Sequence, residues 1–211
     1  MPDPNSFVVA ERKTVFHLIP KCANSSVKAA ILKAHGIRKR GNLHHEPFFQ
    51  YISPAEAARM VDHWQVTVVR DPYSRFVSFY RQKIQDPDRV KPYTRRYGWT
   101  PDLSMEAVLE RMAGLAEADM EIHFRPQWTN LVHAKRYLPD FTARLETLDA
   151  DWAVIRQRYP GLGRLRHMNP TPGPKTPESL PAGVVAGINE VYGADFRWLD
   201  YAPAMSGPKN R

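Results

Sequence analysis

Along the chain, dense strand-like apolar runs give way twice to helical spacing, and these two transitions frame the expected fold. TVFHLIP, residues 14–20, is a short apolar run with β-branched members and a closing proline, which predicts a buried strand. Helical spacing follows at once. Val27, Ala30, Ile31 and Ala34 recur at i, i+3, i+4 and i+7, Ser25 or Ser26 can cap the start, and Gly36 stands where a glycine ends a helix. The second transition begins at QVTVVR, 65–70. Asp71 and Pro72 both favour a helix start, and Phe76, Val77, Tyr80 and Ile84 mark the buried stripe of a helix over 74–84. Two strand-loop-helix units predict an α/β fold with a central parallel β-sheet flanked by helices.

The remaining pattern fills in around them. SPAEAARMV (53–61) predicts a connecting helix with a capping box of Ser53 and Glu56. SMEAVLERMAG (104–114), DADWAVIRQRY (149–159) and VVAGINEVY (184–192) predict helices, and DFTARLETL (140–148) alternates like a strand. Residues 85–103, rich in Pro, Arg and Tyr, read as an extended basic loop, and 161–181, with five prolines and three glycines, as a second loop. Residues 1–13 and 202–211 are polar or Pro/Gly-bearing and read as flexible tails around one domain at 14–201.

Composition leaves this picture unchanged: 211 residues, 43% hydrophobic and 25% charged, suit one globular domain with a real core. Charge adds more. Thirty Lys and Arg against 22 Asp and Glu give a formal +8, so the expected partners are anionic, whether a phosphorylated nucleotide, an acidic glycan, nucleic acid or a membrane surface. The lone cysteine, Cys22, excludes an intramolecular disulfide. No run approaches the ~20 apolar residues of a membrane span, and MPDPNSFVVAERK lacks the apolar centre of a signal peptide, so the expected location is cytoplasmic and the expected source bacterial. Peripheral membrane contact and the oligomeric state stay open.

The chemistry gathers at HLIPKCANSSVKAAI, 17–31. A strand running through a tight loop into a helix offers backbone N–H groups and the positive helix end to an anion. Lys21 adds a full charge, and Asn24, Ser25 and Ser26 add side-chain donors. The nucleoside-triphosphatase loop G-x-x-x-x-G-K-[ST] is absent, which disfavours ATP-driven chemistry and, without a magnesium-binding acidic pair, a nucleotide kinase. In the second unit Arg70 ends the strand and Ser78 stands eight positions later in the helix, a spacing that lets both converge on one phosphate dianion.

These segments resemble the sulfotransferases that use 3′-phosphoadenosine 5′-phosphosulfate (PAPS), in particular the carbohydrate group of sulfotransferase family 2 with its HNK-1/chondroitin-like members. IPKCANSS is similar to that group's 5′-phosphosulfate loop, and VVRDPYSRFVSFYRQKI (68–84) is similar to its 3′-phosphate motif. DMEIHFRPQW (119–128) and RLETLDADW (144–152) extend the resemblance over most of 14–201. Ala23 and Asn24 stand where many members carry glycine.

The resemblance implies a P-loop-like sulfotransferase fold and in-line transfer of a sulfuryl group from PAPS to an acceptor hydroxyl, with no metal. It implies donor binding by Pro20, Lys21, Cys22, Ala23, Asn24, Ser25, Ser26, Arg70 and Ser78, with Lys21 neutralising the leaving oxygen. An acceptor hydroxyl needs a base, and a histidine titrates in the right range. His45 and His123 are the leading candidates, with His44 and Glu46 beside them, whereas His17, inside the first strand, reads as a core residue. The implied acceptor is a carbohydrate, a glycolipid or a small metabolite, and no nucleic-acid partner is expected. The rival reading is a non-catalytic basic module that docks an anionic glycan or nucleic acid through Arg89, Lys91, Arg95 and Arg96 with Tyr93, Tyr97 and Trp99 interleaved.

Overall fold

The computed structural model describes residues 5–38, 41–165 and 176–205. In chain order its elements are β1 (Ser6–Val9), β2 (Thr14–Leu18), α1 (Asn24–Ala34), β3 (Gln50–Tyr51), α2 (Pro54–Ala57), β4 (Trp64–Val69), α3 (Pro72–Phe79), α4 (Lys91–Tyr97) and α5 (Met105–Ala113). There follow β5 (Val132–His133), β6 (Arg136–Tyr137), β7 (Phe141–Arg144), α6 (Leu148–Arg158), α7 (Ala182–Val191) and α8 (Gly193–Leu199). The chain divides into two compact units, 1–70 with 127–170 and 71–126 with 171–211.

The first unit holds a five-stranded sheet in the order β3-β1-β2-β4-β7. Its centre is parallel: β2 runs beside β4 from Thr14↔Trp64 to Leu18↔Val68, and β4 beside β7 from Val66↔Phe141 to Val69↔Arg144. Every residue of β1, β2 and β4 is buried, which is why β2 and β4 read as dense apolar runs rather than strictly alternating ones. Residues 6–9 were expected in a flexible tail. They instead form β1, antiparallel to both β2 and β3, because Phe7 and Val9 bury fully or nearly so and supply the sheet with an inner strand. A charged centre here would be costly, and His17 avoids it: its ring lies 2.9 Å from Ser6 Oγ and 3.0 Å from Gln65 Oε1, and burial lowers its pKa to about 4, keeping it neutral.

Helix α1 ends as the sequence predicts, with Gly36 left-handed at φ 67 and the Ile37 N–H closing on the Leu32 carbonyl at 2.9 Å. Its buried face is rotated from the expected stripe. Val27, Ile31 and Leu32 are buried, and so is Lys28, whereas Ala30 and Ala34 are only partly covered. Ser53 and Glu56 form the expected capping box at α2.

The second unit is helical and has its own core of Tyr73, Phe76, Val77, Phe79, Tyr93, Trp99 and Phe124 with residues of α5, α7 and α8. Asp71 caps α3 through the Ser74 N–H at 2.8 Å, Pro72 begins the helix, and a π-helical turn continues it over Tyr80–Ile84. The expected basic loop at 85–103 contains α4, with a proline in its first turn and Gly98 left-handed at its end. Burial of Tyr93 and Trp99 anchors it: their rings stack at 6.2 Å, and Trp99 meets Phe124 at 5.1 Å. Those aromatics are therefore core, not a stacking platform, and the interleaved docking surface of the rival reading loses two of its three rings. Residues 166–175 of the expected 161–181 loop and 206–211 of the expected C-terminal tail lie outside the described residues. Among the described residues no helix is long and apolar enough to cross a membrane.

Candidate functional site

The loop between β2 and α1 is built on strained backbone. Lys21 and Ala23, neither a glycine, sit in the left-handed region at φ 72 and φ 55, at a cost of roughly 1 kcal/mol each. Local bonds offset that cost. The Cys22 N–H closes on the Ile19 carbonyl at 3.2 Å, and Asn24 Nδ2 donates to the Leu18 carbonyl at 3.1 Å. The Asn24 amide was expected to face an anion. It instead ties the helix start back to the strand end, so what Asn24 offers a ligand is its backbone N–H in the first turn, where N–H groups lack intrahelical partners. Pro20 is buried, Lys21 and Ser25 are half-buried, and Cys22 is fully buried with its thiol turned inward.

Because β2 and β4 are parallel, the loops that follow both leave the sheet at the same edge, the edge at which open α/β sheets bind ligands. Arg70, at the end of β4, turns its guanidinium to the loop and donates from one terminal nitrogen to the Lys21 carbonyl at 3.2 Å. Two cationic residues thus meet at one turn. Gln127 holds them there. Fully buried, it accepts from the Arg70 N–H at 3.0 Å, donates to the Arg70 carbonyl at 2.8 Å, and accepts from the Cys22 thiol at 3.2 Å. The sequence reading singled out the segment that contains Gln127 but gave this residue no role, and the pairing of a glutamine with one distant backbone and one distant thiol leaves no local signal.

A sequence model of the sulfotransferase family matches residues 4–202, nearly the whole chain. The chain belongs to the sulfotransferase family. Comparisons with curated proteins and with solved structures returned no match. The PKCANSS loop and Arg70 both lie within the matched span, as do all the residues considered below.

Among the candidate bases of this sulfotransferase, His44 is tied to the loop. Its Nε2 lies 3.4 Å from Ser25 Oγ, and its Nδ1 lies 3.3 Å from Lys28 Nζ. Both contacts are long, as such bonds often are before substrate tightens a site. His45 is exposed on the same turn, and its backbone N–H donates to the Asn42 carbonyl at 2.9 Å. Glu46 is buried and accepts from the Gly41 N–H at 3.3 Å. The sequence reading gave His45 precedence over His44, since adjacent residues on a 3-10 turn cannot be ranked without knowing how the turn is aimed.

Ser78 and His123 belong to the second unit. Ser78 is buried in α3. His123 is half of a carboxylate–imidazole pair: its Nδ1 lies 2.7 Å from Glu121 Oε1, and its backbone N–H and the Tyr93 hydroxyl both donate to Glu121 Oε2 at 2.9 Å. Burial pushes the Glu121 carboxyl up, but the His123 bonds and charge more than offset this and hold it below the usual range. A carboxylate on Nδ1 fixes the tautomer that leaves Nε2 as the accepting nitrogen. Among the described residues no group of three or more His, Cys, Asp or Glu is gathered as a metal site.

Proposed function

We propose that this sulfotransferase moves a sulfuryl group from PAPS to a hydroxyl of a carbohydrate, glycolipid or small metabolite. The observation that carries the reading is the Arg70 guanidinium on the Lys21 carbonyl, which places a second cation at a helix-start loop that already offers Lys21, Ser25 and first-turn N–H groups. A donor with a phosphosulfate at one end and a phosphate at the other calls for such a paired arrangement. In the transfer, the acceptor oxygen bonds to sulfur as the bond from sulfur to the 5′-phosphate oxygen breaks. The leaving bisphosphate gains charge, and Lys21 neutralises it. Arg70 receives the 3′-phosphate, and the spacing of eight in the sequence assigns Ser78 to the same group.

His44 takes the acceptor proton, a role supported by its contact with Ser25. A second reading gives that role to His123, favoured by the Glu121 carboxylate on Nδ1.

Lys21→Ala and Arg70→Ala are expected to abolish PAPS turnover and weaken binding of adenosine 3′,5′-bisphosphate in calorimetry. Unchanged affinity in both variants overturns the assignment. The base is read from His44→Ala against His123→Ala: one of them lowers the chemical step by about 10²-fold or more with nucleotide binding intact. Retention on the immobilised bisphosphate without sulfation of any carbohydrate or lipid offered would instead favour a binding module.

A further inference from the structure

Lys28 is a lysine in the wrong place for an ordinary helix surface. Its side chain is fully buried, with its Nζ 5.7 Å from the Phe7 ring centroid, 5.4 Å from Phe49 and 5.0 Å from Tyr51. Among the described residues no carboxylate pairs with it, and a buried cation without one is costly, so its position needs a reason. Its polar contacts are the Tyr51 hydroxyl at 2.9 Å and His44 Nδ1 at 3.3 Å. Tyr51 in turn donates its own proton to the His44 carbonyl at 2.7 Å, so the hydroxyl faces Lys28 as an acceptor.

We propose that Lys28 is a positioning residue for the transfer reaction, deciding through its bond to Nδ1 which nitrogen of His44 carries the proton. This rests on the reading of His44 as the base. A charged ammonium has only donors, so it forces Nδ1 to accept; neutral His44 then carries its proton on Nε2 and gives it to Ser25 Oγ. In that form Nε2 takes no proton from an acceptor. Once Lys28 is a neutral amine, its lone pair accepts from Nδ1–H, and the Nε2 lone pair is turned to the Ser25 side. The transfer then balances: the acceptor proton passes to Nε2, the Nδ1 proton passes to Lys28 Nζ, and the amine becomes an ammonium that returns its proton to solvent through the exposed His44 ring before the next cycle.

The surroundings of Lys28 make both states accessible. Burial lowers its pKa to about 8, and the same burial pushes the facing Tyr51 phenol up to about 12, so Tyr51 does not exchange a proton in this range. On the turn that carries His44, His45 is exposed and Glu46 accepts from Gly41. On β1, the facing side chain is the uncharged Phe7. Among the described residues, no group packed against Lys28 other than His44 is placed to trade its proton.

The test is the ¹⁵N spectrum of His44 in the full, ligand-free chain, titrated from pH 6.5 to pH 9.5, alongside a pH–rate profile of PAPS turnover with water as acceptor. Wild type is expected to pass from the Nε2–H to the Nδ1–H tautomer as pH rises through about 8, with turnover rising in step. Lys28→Met fills the same aromatic cage without a charge. It is expected to lose that crossing and to bring the rise in turnover down toward the ordinary histidine pKa of about 6.5. Lys28→Arg stays charged and is expected to hold the Nε2–H tautomer throughout; it decides the matter if the methionine variant does not fold. A wild-type tautomer that does not change across pH 8, or a pH–rate limb shared by wild type and both variants, overturns the proposal. If PAPS is not turned over at all, the sulfuryl-transfer reading fails, while the tautomer titration still decides the role of Lys28.

Discussion

Replacing Gln127 with alanine removes its bonds to the Arg70 N–H, the Arg70 carbonyl and the Cys22 thiol at one stroke and leaves a gap beside the buried Arg70 backbone. A buried backbone group left without a partner costs about 1–3 kcal/mol, and the neutral thiol bond adds about 0.5–1 kcal/mol, so the expected loss is about 3–5 kcal/mol. For a chain of this size each kcal/mol lowers the melting temperature by roughly 2–4 °C, which puts the variant about 10 °C below wild type. Stability is only half of the prediction. Gln127 fixes the backbone from which the Arg70 guanidinium reaches the Lys21 carbonyl, so affinity for adenosine 3′,5′-bisphosphate is expected to fall at least tenfold, about 1.4 kcal/mol. Denaturant unfolding and titration calorimetry on Gln127→Ala, Cys22→Ala and the double variant separate the contributions, since the thiol bond is expected to show as a coupling of about 0.5–1.5 kcal/mol. A single variant within about 1 kcal/mol of wild type that binds the nucleotide normally would falsify the view of Gln127 as the clamp of this loop.

Two further outcomes follow from strain and burial. Ala23 holds φ 55 at the start of α1, so Ala23→Gly is expected to raise unfolding stability by about 0.5–1 kcal/mol in urea titrations, and a variant destabilised by that amount would show that the turn is not left-handed in solution. His17 has a folded pKa of about 4 against an ordinary value near 6.5, so between these pH values the unfolded chain binds more protons. The contribution is therefore intact above pH 6.5 and lost as pH falls toward 4, about 3 kcal/mol in all, and His17→Gln is expected to flatten that slope in pH-dependent unfolding. A slope that persists unchanged in the variant refutes it.

Much of the local structure around the candidate site was legible because its signals are local. The strand ending at Pro20, the lysine beside it, the capping serines and the Asp71-Pro72 helix start are all set by neighbours within a few residues, and the structure places β2, α1, β4 and α3 where these patterns put them. Strand β1 was missed because four residues, Ser6–Val9, are too few to show a period, and their place inside the sheet depends on pairing with β2 and β3. Helix α4 was missed because Lys, Arg and Pro outnumber its apolar anchors, and the burial of Tyr93 depends in part on Phe79 and Phe124 from distant segments.

The sequence by itself therefore determined the two strand-loop-helix transitions and the charge of the loop, since short-range propensity and spacing encode them, and its motifs carried the resemblance to the sulfotransferase family. Only the tertiary structure decided which groups those loops meet. Gln127 bonds to Arg70 across 57 positions and to Cys22 across 105, and Lys28 is buried because β1, β3 and Phe49 close over it, although a lysine on a helix reads as a surface residue. Such choices rest on long-range packing, in which the partner of a side chain is set by the path of the whole chain rather than by its own neighbours.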